Sequence, residues 1–559
     1  MMKPATQLIS QIRTRMLVLC GGLAILSAMS GVSAQAAEEA EFSTGSNEVL
    51  IKEVNQLIRR SWDDNLIKPS AVADDAEWLR RVYLDVVGHI PPMETVKEFV
   101  ASKDAAKRSK VVDQLLDDPD YVRNWTTIWT NNSIGRGFRN RGDRDEVSRL
   151  GMDKFYREVF ARNRPWNEVV KDIVTAEGNF EENGAVNFIL AQMEMPDEGV
   201  QLTADFTKLF LGIQVQCTQC HDHPFNDWKQ DQFWSYNSIF RQTAKDIQRK
   251  YDEDSGRMVV DFVEVTWRNV DQEEVFFERR NGEVRPAYPV FNSHKIDPAK
   301  HVDRRKEFGE LLQTDTDKMV AAAMVNRMWG HFFGYGFTKP VDDMGPHNPP
   351  SHPEVMELLT NSFVESGYDV KQLVRWIANT EAYNLTSQFS KENEIDNPAA
   401  GEIPLFSHMY VKAMEVEQLY DSLIIATNAH KSGSRNFEAS EQQRQRWLGE
   451  FITLFGDDEN DSSTSFNGSI PQALMMMNGR LVTEATSLER GSFLTEIAAS
   501  SGSDVNKVKD IYLATLSRYP NGRELSSISK LFRSSPNKAL AYQDVLWALL
   551  NSNEFIVNH

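Results

Sequence analysis

The chain has 559 residues, of which 41% are hydrophobic and 25% charged; this composition is ordinary for a globular protein, but the chain is too long for a single core. The formal net charge of -20 argues against nucleic acid or an anionic membrane as the main partner. Of the three cysteines only Cys217 and Cys220 lie beyond the first 36 residues, so disulfides joining distant segments are not its main source of stability.

The first 36 residues have the order of a secretory signal peptide. Basic residues end at Arg15, the apolar run Met16–Leu26 follows, and small residues lead to Ala34 and Ala36. The run is short for a membrane span of about 20 apolar residues. We therefore expect a signal peptide over residues 1–36, export to the periplasm or cell surface of a bacterium, and no membrane span after cleavage.

Residues 45–250 show apolar positions at helical spacing. The predicted helices cover residues 49–62, 76–87, 95–101, 107–116, 121–129, 152–162, 166–175 and a stretch from about 201. In the second of these, Arg81 and Asp85 stand four residues apart, and this spacing predicts a helical ion pair.

Residues 251–300 differ in character, with β-rich runs at 258–267 and 275–280 and a hairpin signal at Asn281–Gly282. Helical periodicity resumes over 301–559, interrupted by polar stretches at 387–401, 430–445 and 456–469 that predict loops. The predicted fold class is therefore mainly α, with two helical domains, 45–250 and 301–559, and a small β module, 251–300, inserted between them.

The most informative motif is Cys217-Thr218-Gln219-Cys220-His221. Its Cys-x-x-Cys-His spacing is the one used for covalent attachment of haem c. Two thiols on one turn reach the two vinyl groups of one porphyrin, and the imidazole that follows can take an axial position on the iron. The sequence therefore predicts that Cys217, Cys220 and His221 bind haem c.

Two other interpretations of this motif stay open. Cys217, Cys220, His221 and His223 could hold a metal ion, zinc above all, although zinc sites usually draw their ligands from two separated pairs. The two cysteines could instead form a local disulfide or a buried thiol pair. A thioredoxin-like role is disfavoured, because no βαβ pattern surrounds the motif.

A haem that only transfers electrons commonly has a second axial ligand. Met193, Met195 and His223 are the candidates near the motif. Against them, a lone methionine is more often core filler, and Pro224 restricts the backbone of His223 to extended conformations.

A second candidate site lies between residues 326 and 352. One arginine, two carboxylates and three histidines there could form a metal or substrate pocket with acid–base capacity. These residues are Arg327, His331, Asp342, Asp343, His347 and His352. The structural alternative is an Arg327–Asp343 ion pair together with a Ser351 cap on a helix beginning at Pro353. No motif specifies a reaction, so the sequence does not say whether the protein is an enzyme.

Six short segments of the chain occur together in one known group of proteins. They are Leu79–Asp85, Phe210–Gly212, Cys217–Phe225, Asn326–Trp329, Asn348–Pro353 and Leu549–Phe555. On these segments the chain resembles the planctomycete-type cytochrome c domain proteins, and the resemblance covers nearly all of the chain after residue 45. The resemblance implies an N-terminal Cys-x-x-Cys-His domain followed by its usual C-terminal partner domain, both classed as domains of unknown function.

These features together predict an exported redox protein that binds haem c. It would pass electrons between an exported dehydrogenase-like partner, or another co-expressed exported protein, and a respiratory acceptor. The rival classes are a zinc- or other metal-binding non-haem enzyme and a cell-surface binding protein with a structural Cys-x-x-Cys-His-x-His site.

Overall fold

The computed structural model describes residues 47–136, 146–193, 198–224, 227–268, 274–299, 301–431, 437–455, 470–489 and 492–559. Contacts group the chain into two units, residues 1–56 and 57–559. In the first unit the described residues, 47–56, are helical, and the helix (α1) ends at residue 64. The predicted signal peptide lies outside the described residues.

The N-terminal half of the second unit is helical. Its helices are α2 (Asp75–Val87), α3 (Met93–Ala101), α4 (Lys107–Leu116), α5 (Pro119–Ile134), α6 (Arg149–Ala161), α7 (Trp166–Val174), α8 (Val186–Ala191), α9 (Val200–Leu211) and α10 (Gln230–Phe240). A 3-10 turn, Gln216–Gln219, lies between α9 and α10.

Short antiparallel sheets are formed by strands that follow α10, together with a first strand that lies between α7 and α8. The strands are β1 (Gly178–Asn179), β2 (Thr243–Asp252), β3 (Arg257–Trp267), β4 (Val275–Glu278), β5 (Val284–Ala287), β6 (Val290–Phe291) and β7 (His294–Lys295). β2 and β3 pair from Thr243 opposite Trp267 to Asp252 opposite Arg257, and β1 covers the other edge of β3. The predicted hairpin at Asn281–Gly282 joins β4 to β5.

The remaining chain is again helical. It contains α11 (Arg304–Thr314), α12 (Met319–Phe333), α13 (Pro353–Glu365), α14 (Val370–Ala378), α15 (Val416–Thr427), α16 (Phe437–Phe455), α17 (Ile470–Asn478), α18 (Arg480–Ala485), α19 (Phe493–Ala499), α20 (Asp504–Leu516), α21 (Gly522–Ser534), α22 (Lys538–Leu550) and α23 (Asn553–Ile556). Strands β8 (Lys412–Ala413) and β9 (Val557–Asn558) pair with each other. The predicted fold class, mainly α with small β elements, is confirmed.

Two local predictions were wrong for identifiable reasons. The polar stretch 430–445 was predicted to be a loop, but most of it belongs to α16, which begins at Phe437. Its Gln, Glu and Arg residues are good helix formers, and the helix buries Trp447 and Phe451 further along. Strand β2 begins at Thr243, well before the predicted β region, because pairing with β3 compensates for its polar sequence.

Capping residues define both ends of helix α2. The Asp74 side chain accepts from the backbone N–H groups of Ala76 and Glu77, and Gly88 ends the helix at φ 79°. A carboxylate at this cap satisfies donors that have no partner within the helix, and glycine adopts the left-handed conformation without a Cβ clash. The helix that results is buried over most of its length.

The charged residues of α2 bind the C-terminal half of the chain. The Arg80 guanidinium donates to the carbonyl oxygens of Thr515 (3.0 Å) and Phe555 (2.7 Å). Arg81 donates to the Tyr383 carbonyl at 2.6 Å. The predicted Arg81–Asp85 pair was wrong, since Arg81 bonds instead to Glu77, four residues before it, at 2.9 Å.

Asp85 is fully buried in its own polar cluster. Its carboxylate accepts from the Tyr383 hydroxyl at 2.6 Å and from Asn558 at 2.7 Å, and it lies 2.7 Å from the Lys412 ammonium. Leu84 and Ile90 also pack into the core formed by α15 to α22. Contacts between the first and last parts of the chain therefore help to hold the second unit together. The proposed division at residues 250 and 300 stays a prediction.

In the part of the chain that the structure describes, no helix is both long enough and apolar enough to cross a bilayer.

Candidate functional site

The Cys-x-x-Cys-His motif lies where the chain leaves α9. Gly212 ends this helix with φ at 66°, and Ile213 and Val215 are buried beyond it. Cys217 lies in the 3-10 turn, and Cys220 follows as its C-cap residue. The turn is closed by the Thr218 hydroxyl, which donates to the Val215 carbonyl at 2.6 Å. The motif is therefore a short ordered turn whose apolar flank is anchored in the core.

Helix α10 holds this turn from the other side. The carbonyl oxygen of Gln219 accepts from the Gln230 side-chain amide and from the Trp234 indole, each at 3.1 Å. The Gln230 backbone N–H donates to the Asp222 carboxylate at 3.0 Å, and this bond lowers the pKa of Asp222. The turn thus has fixed supports immediately before and after Cys220.

Both cysteines are free thiols, and both are exposed. The alternative of a buried thiol pair is therefore wrong. Both thiols therefore lie on the surface, within and directly after a single 3-10 turn.

The ring of His221 has a defined orientation. Its Nδ1 lies 2.7 Å from the carbonyl oxygen of Asp222. A carbonyl oxygen can only accept, so Nδ1 carries the proton and the lone pair belongs to Nε2. A metal-binding histidine is usually oriented in this way, with its second ring nitrogen donating to a carbonyl or carboxylate.

The second candidate site packs directly against this segment. The Gln214 side-chain amide donates to the Asp342 carboxylate at 2.8 Å, and the Met344 N–H donates to the Gly212 carbonyl at 2.7 Å. On the far side of the motif, the ring centroids of His223 and His347 are 6.3 Å apart. Residues on both sides of the motif therefore contact the 342–347 loop.

The predicted structural pairs of the second site were wrong. Asp343 bonds to His347 Nε2 at 3.0 Å instead of to Arg327. The N-cap of α13 is His352, with no capping bond from a side chain, and the Ser351 hydroxyl lies 3.1 Å from His352 Nδ1. Arg327 instead lies near the end of α9, with Nη2 3.5 Å from the Lys208 carbonyl oxygen.

His331 and His352 contact different parts of the core. His331 Nε2 donates to the Asp85 carbonyl at 2.9 Å, and its ring lies 4.9 Å from that of Trp125. His352 packs on Phe406, at 5.2 Å between ring centroids. Burial lowers the pKa of both histidines to about 4, so both are neutral at physiological pH. Of the predicted second site, Asp342, Asp343 and His347 therefore lie against the motif, and Arg327 lies near Asp342.

Of the two methionines predicted as candidate axial ligands, the structure describes Met193. Met193 is half-buried, and its carbonyl accepts from Lys245 on β2 at 2.8 Å. Met195 and Phe225 lie outside the described residues. The role of Met193, Met195 or His223 as an axial ligand stays a prediction.

Sequence reasoning missed three residues that link the two candidate sites. Lys208, Gly212 and Gln214 contact the 342–347 loop or Arg327, at separations of more than 100 residues in the chain. Only Gly212 carried a local signal, since glycine after an apolar helix marks a helix end.

Within the described residues, no group of three or more His, Cys, Asp or Glu side chains is arranged to hold a metal ion. Covalent haem has a different requirement, namely two accessible thiols and one oriented imidazole on one turn. Cys217, Cys220 and His221 have these properties, so this donor set fits haem c.

Two family models match the chain. The one described as "PSCyt2: Protein of unknown function (DUF1549)" matches residues 53–245, and the one described as "PSD1: Protein of unknown function (DUF1553)" matches residues 304–465. No curated protein and no solved structure matches it. Cys217 and His221 lie in the first match, and Arg327 and His347 lie in the second. The chain therefore carries a PSCyt2 segment followed by a PSD1 segment, in the order that the resemblance implied.

Proposed function

We propose that this protein is an exported electron carrier that binds haem c through Cys217, Cys220 and His221. The observation that carries the proposal is the hydrogen bond of 2.7 Å between His221 Nδ1 and the Asp222 carbonyl. It leaves the lone pair on Nε2, the nitrogen that an iron atom needs, and it sets the ring direction before any ligand binds.

The thiols support the same assignment. Cys217 and Cys220 are exposed and unpaired, and the turn between them is held by Thr218, Gln230 and Trp234. A fixed turn lowers the entropic cost of bringing both sulfurs to one macrocycle. When bound, haem supplies reversible one-electron transfer at its iron.

The chain's own contribution is to orient His221 and to present the thiols. The turn is anchored at its Gln219 carbonyl by α10, and its flanks contact the 342–347 loop, which belongs to the PSD1 segment. A redox partner would meet a chain with a net charge of -20, so a positively charged docking face on the partner would speed encounter.

The test is to express the full chain in a host with c-type maturation machinery. A haem stain on a denaturing gel, a reduced absorption spectrum, and the mass of the peptide containing residue 217 should all report covalent haem. Cys217→Ala with Cys220→Ala should abolish the stain, whereas His301→Ala, at an exposed histidine elsewhere, should leave it unchanged.

The rival interpretations predict different results from the same material. One equivalent of zinc with no iron would select a metal site built from Cys217, Cys220, His221 and His223. Neither metal, together with unmodified thiols or a simple disulfide, would select a structural role. Either result from correctly matured protein would overturn the haem proposal.

A further inference from the structure

Arg327 is a half-buried arginine whose guanidinium is poorly satisfied. It lies on α12 and faces the end of α9, where Nη2 is 3.5 Å from the carbonyl oxygen of Lys208. That distance is at the limit for a hydrogen bond. Its Nε is buried and has no hydrogen-bond partner among the described residues. Most of the donor capacity of this side chain is therefore unused by the protein.

An unpaired Nε is not peculiar to Arg327, since Arg80, Arg304 and Arg305 also have one. The difference lies in the short bonds that the terminal nitrogens of the other buried arginines make. Arg80, Arg81, Arg304 and Arg305 each donate to backbone carbonyl oxygens at 3.0 Å or less. The acceptors include Phe555 (2.7 Å), Tyr383 (2.6 Å), Ser238 (2.9 Å) and Ala176 (2.9 Å), in that order. Arg327 has no such short bond in the described part of the chain, which makes it the exception.

Among the described residues, no carboxylate makes a short bond to Arg327 in place of a carbonyl oxygen. Asp342 is the acid that acts on Arg327, but one of its oxygens accepts from Gln214 at 2.8 Å and the other is 3.8 Å from the Lys208 ammonium. Burial lowers the pKa of Arg327, and Asp342 offsets this only in part. Removing part of a cation from water without giving it a partner is costly, so such a side chain is normally paired with an anion.

The local charges indicate which anion. Arg327 and Lys208 are positive and Asp342 is negative, so the three leave one positive charge, which suits a monoanion better than a phosphate dianion. The planar guanidinium fork matches the two oxygens of a carboxylate. We propose that Arg327, supported by Lys208, binds a carboxylate group between α9 and α12.

The carboxylate has two chemical sources. It is either a free organic acid or a propionate of the haem, since Lys208 lies nine residues before Cys217 on the same segment. Only the propionate version rests on the proposed function.

The first arm of the test uses the full chain with Cys217→Ala and Cys220→Ala, so that no haem is attached. The transverse relaxation of ¹³C-labelled acetate is measured with and without protein. If a free carboxylate binds, protein accelerates the relaxation, and Arg327→Gln removes at least about two-thirds of this excess. Arg327→Lys keeps the charge but loses the fork, so it should give an intermediate value. If the Arg327→Gln variant does not fold, Arg327→Lys is compared with the unchanged chain in its place.

The matched control for this arm is Arg279→Gln. Arg279 is already paired with both oxygens of Asp231, at 2.7 and 2.8 Å, so its removal should leave acetate relaxation unchanged.

The second arm uses the haem-loaded chain. If Arg327 holds a propionate, Arg327→Gln raises the pKa of that propionate, and the midpoint potential becomes more dependent on pH between pH 5 and 8. Arg279→Gln should not change this dependence. A merely structural role for Arg327 would not produce such a pH profile.

The outcomes separate the two proposals. Loss of acetate binding in Arg327→Gln supports a free carboxylate ligand, and it does so even if no haem is ever attached. No acetate binding together with a new pH dependence supports the propionate. No effect of Arg327 in the first arm, and none in the second where haem is attached, overturns the carboxylate site and leaves the haem result standing.

Discussion

The backbone N–H of Met344 donates a hydrogen bond of 2.7 Å to the carbonyl oxygen of Gly212, the residue that ends α9. This bond joins the PSCyt2 segment to the PSD1 segment five residues before Cys217. The approach is so close that a Cβ on Gly212 would lie 2.4 Å from Met344 Cε and 3.3 Å from Ala323 Cβ. The position of the cysteine turn therefore depends on a glycine at this point.

Gly212→Ala should destabilise the protein by about 1–3 kcal/mol, because it adds steric overlap to a left-handed backbone conformation. Urea unfolding measures the loss. Gly367→Ala is the matched control, since Gly367 has φ 73° but no heavy atom within 4 Å of its added Cβ. It should cost less, because it carries only the conformational strain. Equal losses in the two variants would mean that Met344 moves away freely.

The buried carboxylate of Asp85 provides a second prediction. Asp85→Asn should destabilise the chain by about 3–5 kcal/mol, because it leaves the Lys412 ammonium buried without its counter-charge. Asp85→Asn combined with Lys412→Met should recover part of the loss. The free energy of unfolding in urea reports both effects.

Asp261→Asn is the control for this prediction. It breaks the solvent-facing Lys250–Asp261 pair, whose length of 2.8 Å resembles that of the buried pair, and it should leave stability nearly unchanged. Comparable losses in the buried and exposed variants would contradict the role assigned to Asp85.

The sequence predicted what depends on local spacing. The Cys-x-x-Cys-His turn and the limits of α2 follow from residues a few positions apart, and both occur as expected. Helix α16 was missed because its N-terminal half is polar, although polar residues with good helix propensity extend a helix whose apolar face appears only later.

The sequence could not predict which distant residues meet. Arg327 and His331 are one helical turn apart, yet Arg327 approaches Lys208 on α9 while His331 bonds to Asp85 on α2. Spacing within α12 does not reveal which element packs against each side chain. The same limit explains why Gln214 and Asp342, 128 residues apart, were not expected to bond.

His352 should contribute to loss of stability in acid. An unfolded histidine takes up its proton near pH 6.5, whereas burial lowers the pKa of folded His352 to about 4. Between these values the unfolded state binds more protons. The contribution of His352 to the free energy of unfolding is therefore complete above about pH 6.5 and is lost as the pH falls toward 4. The expected loss is about 3 kcal/mol from this one group.

His352→Phe tests that contribution, because phenylalanine does not titrate and suits the contacts with Phe337 and Phe406. Urea unfolding from pH 7 to 4.5 should show a shallower decline than in the unchanged protein. His301→Gln, at an exposed position, should leave the decline as it was. An unaltered slope in His352→Phe would show that this imidazole is protonated equally in both states.

Trp234 should control how firmly the cysteine turn is held. Its indole N–H donates to the Gln219 carbonyl at 3.1 Å, and its ring stacks on Phe277 with centroids 5.8 Å apart. Trp234→Phe keeps an aromatic ring for the stack and removes the bond, which is worth about 1 kcal/mol. Hydrogen exchange in peptides covering residues 216–221 should therefore accelerate by roughly fivefold, with little change in global stability.

Trp547→Phe is the control for this prediction. It removes a similar indole bond, to the Met477 carbonyl at 3.0 Å, and should leave exchange at the turn unchanged. If both variants leave exchange at 216–221 unaltered, the Gln230 amide alone is sufficient to hold the turn.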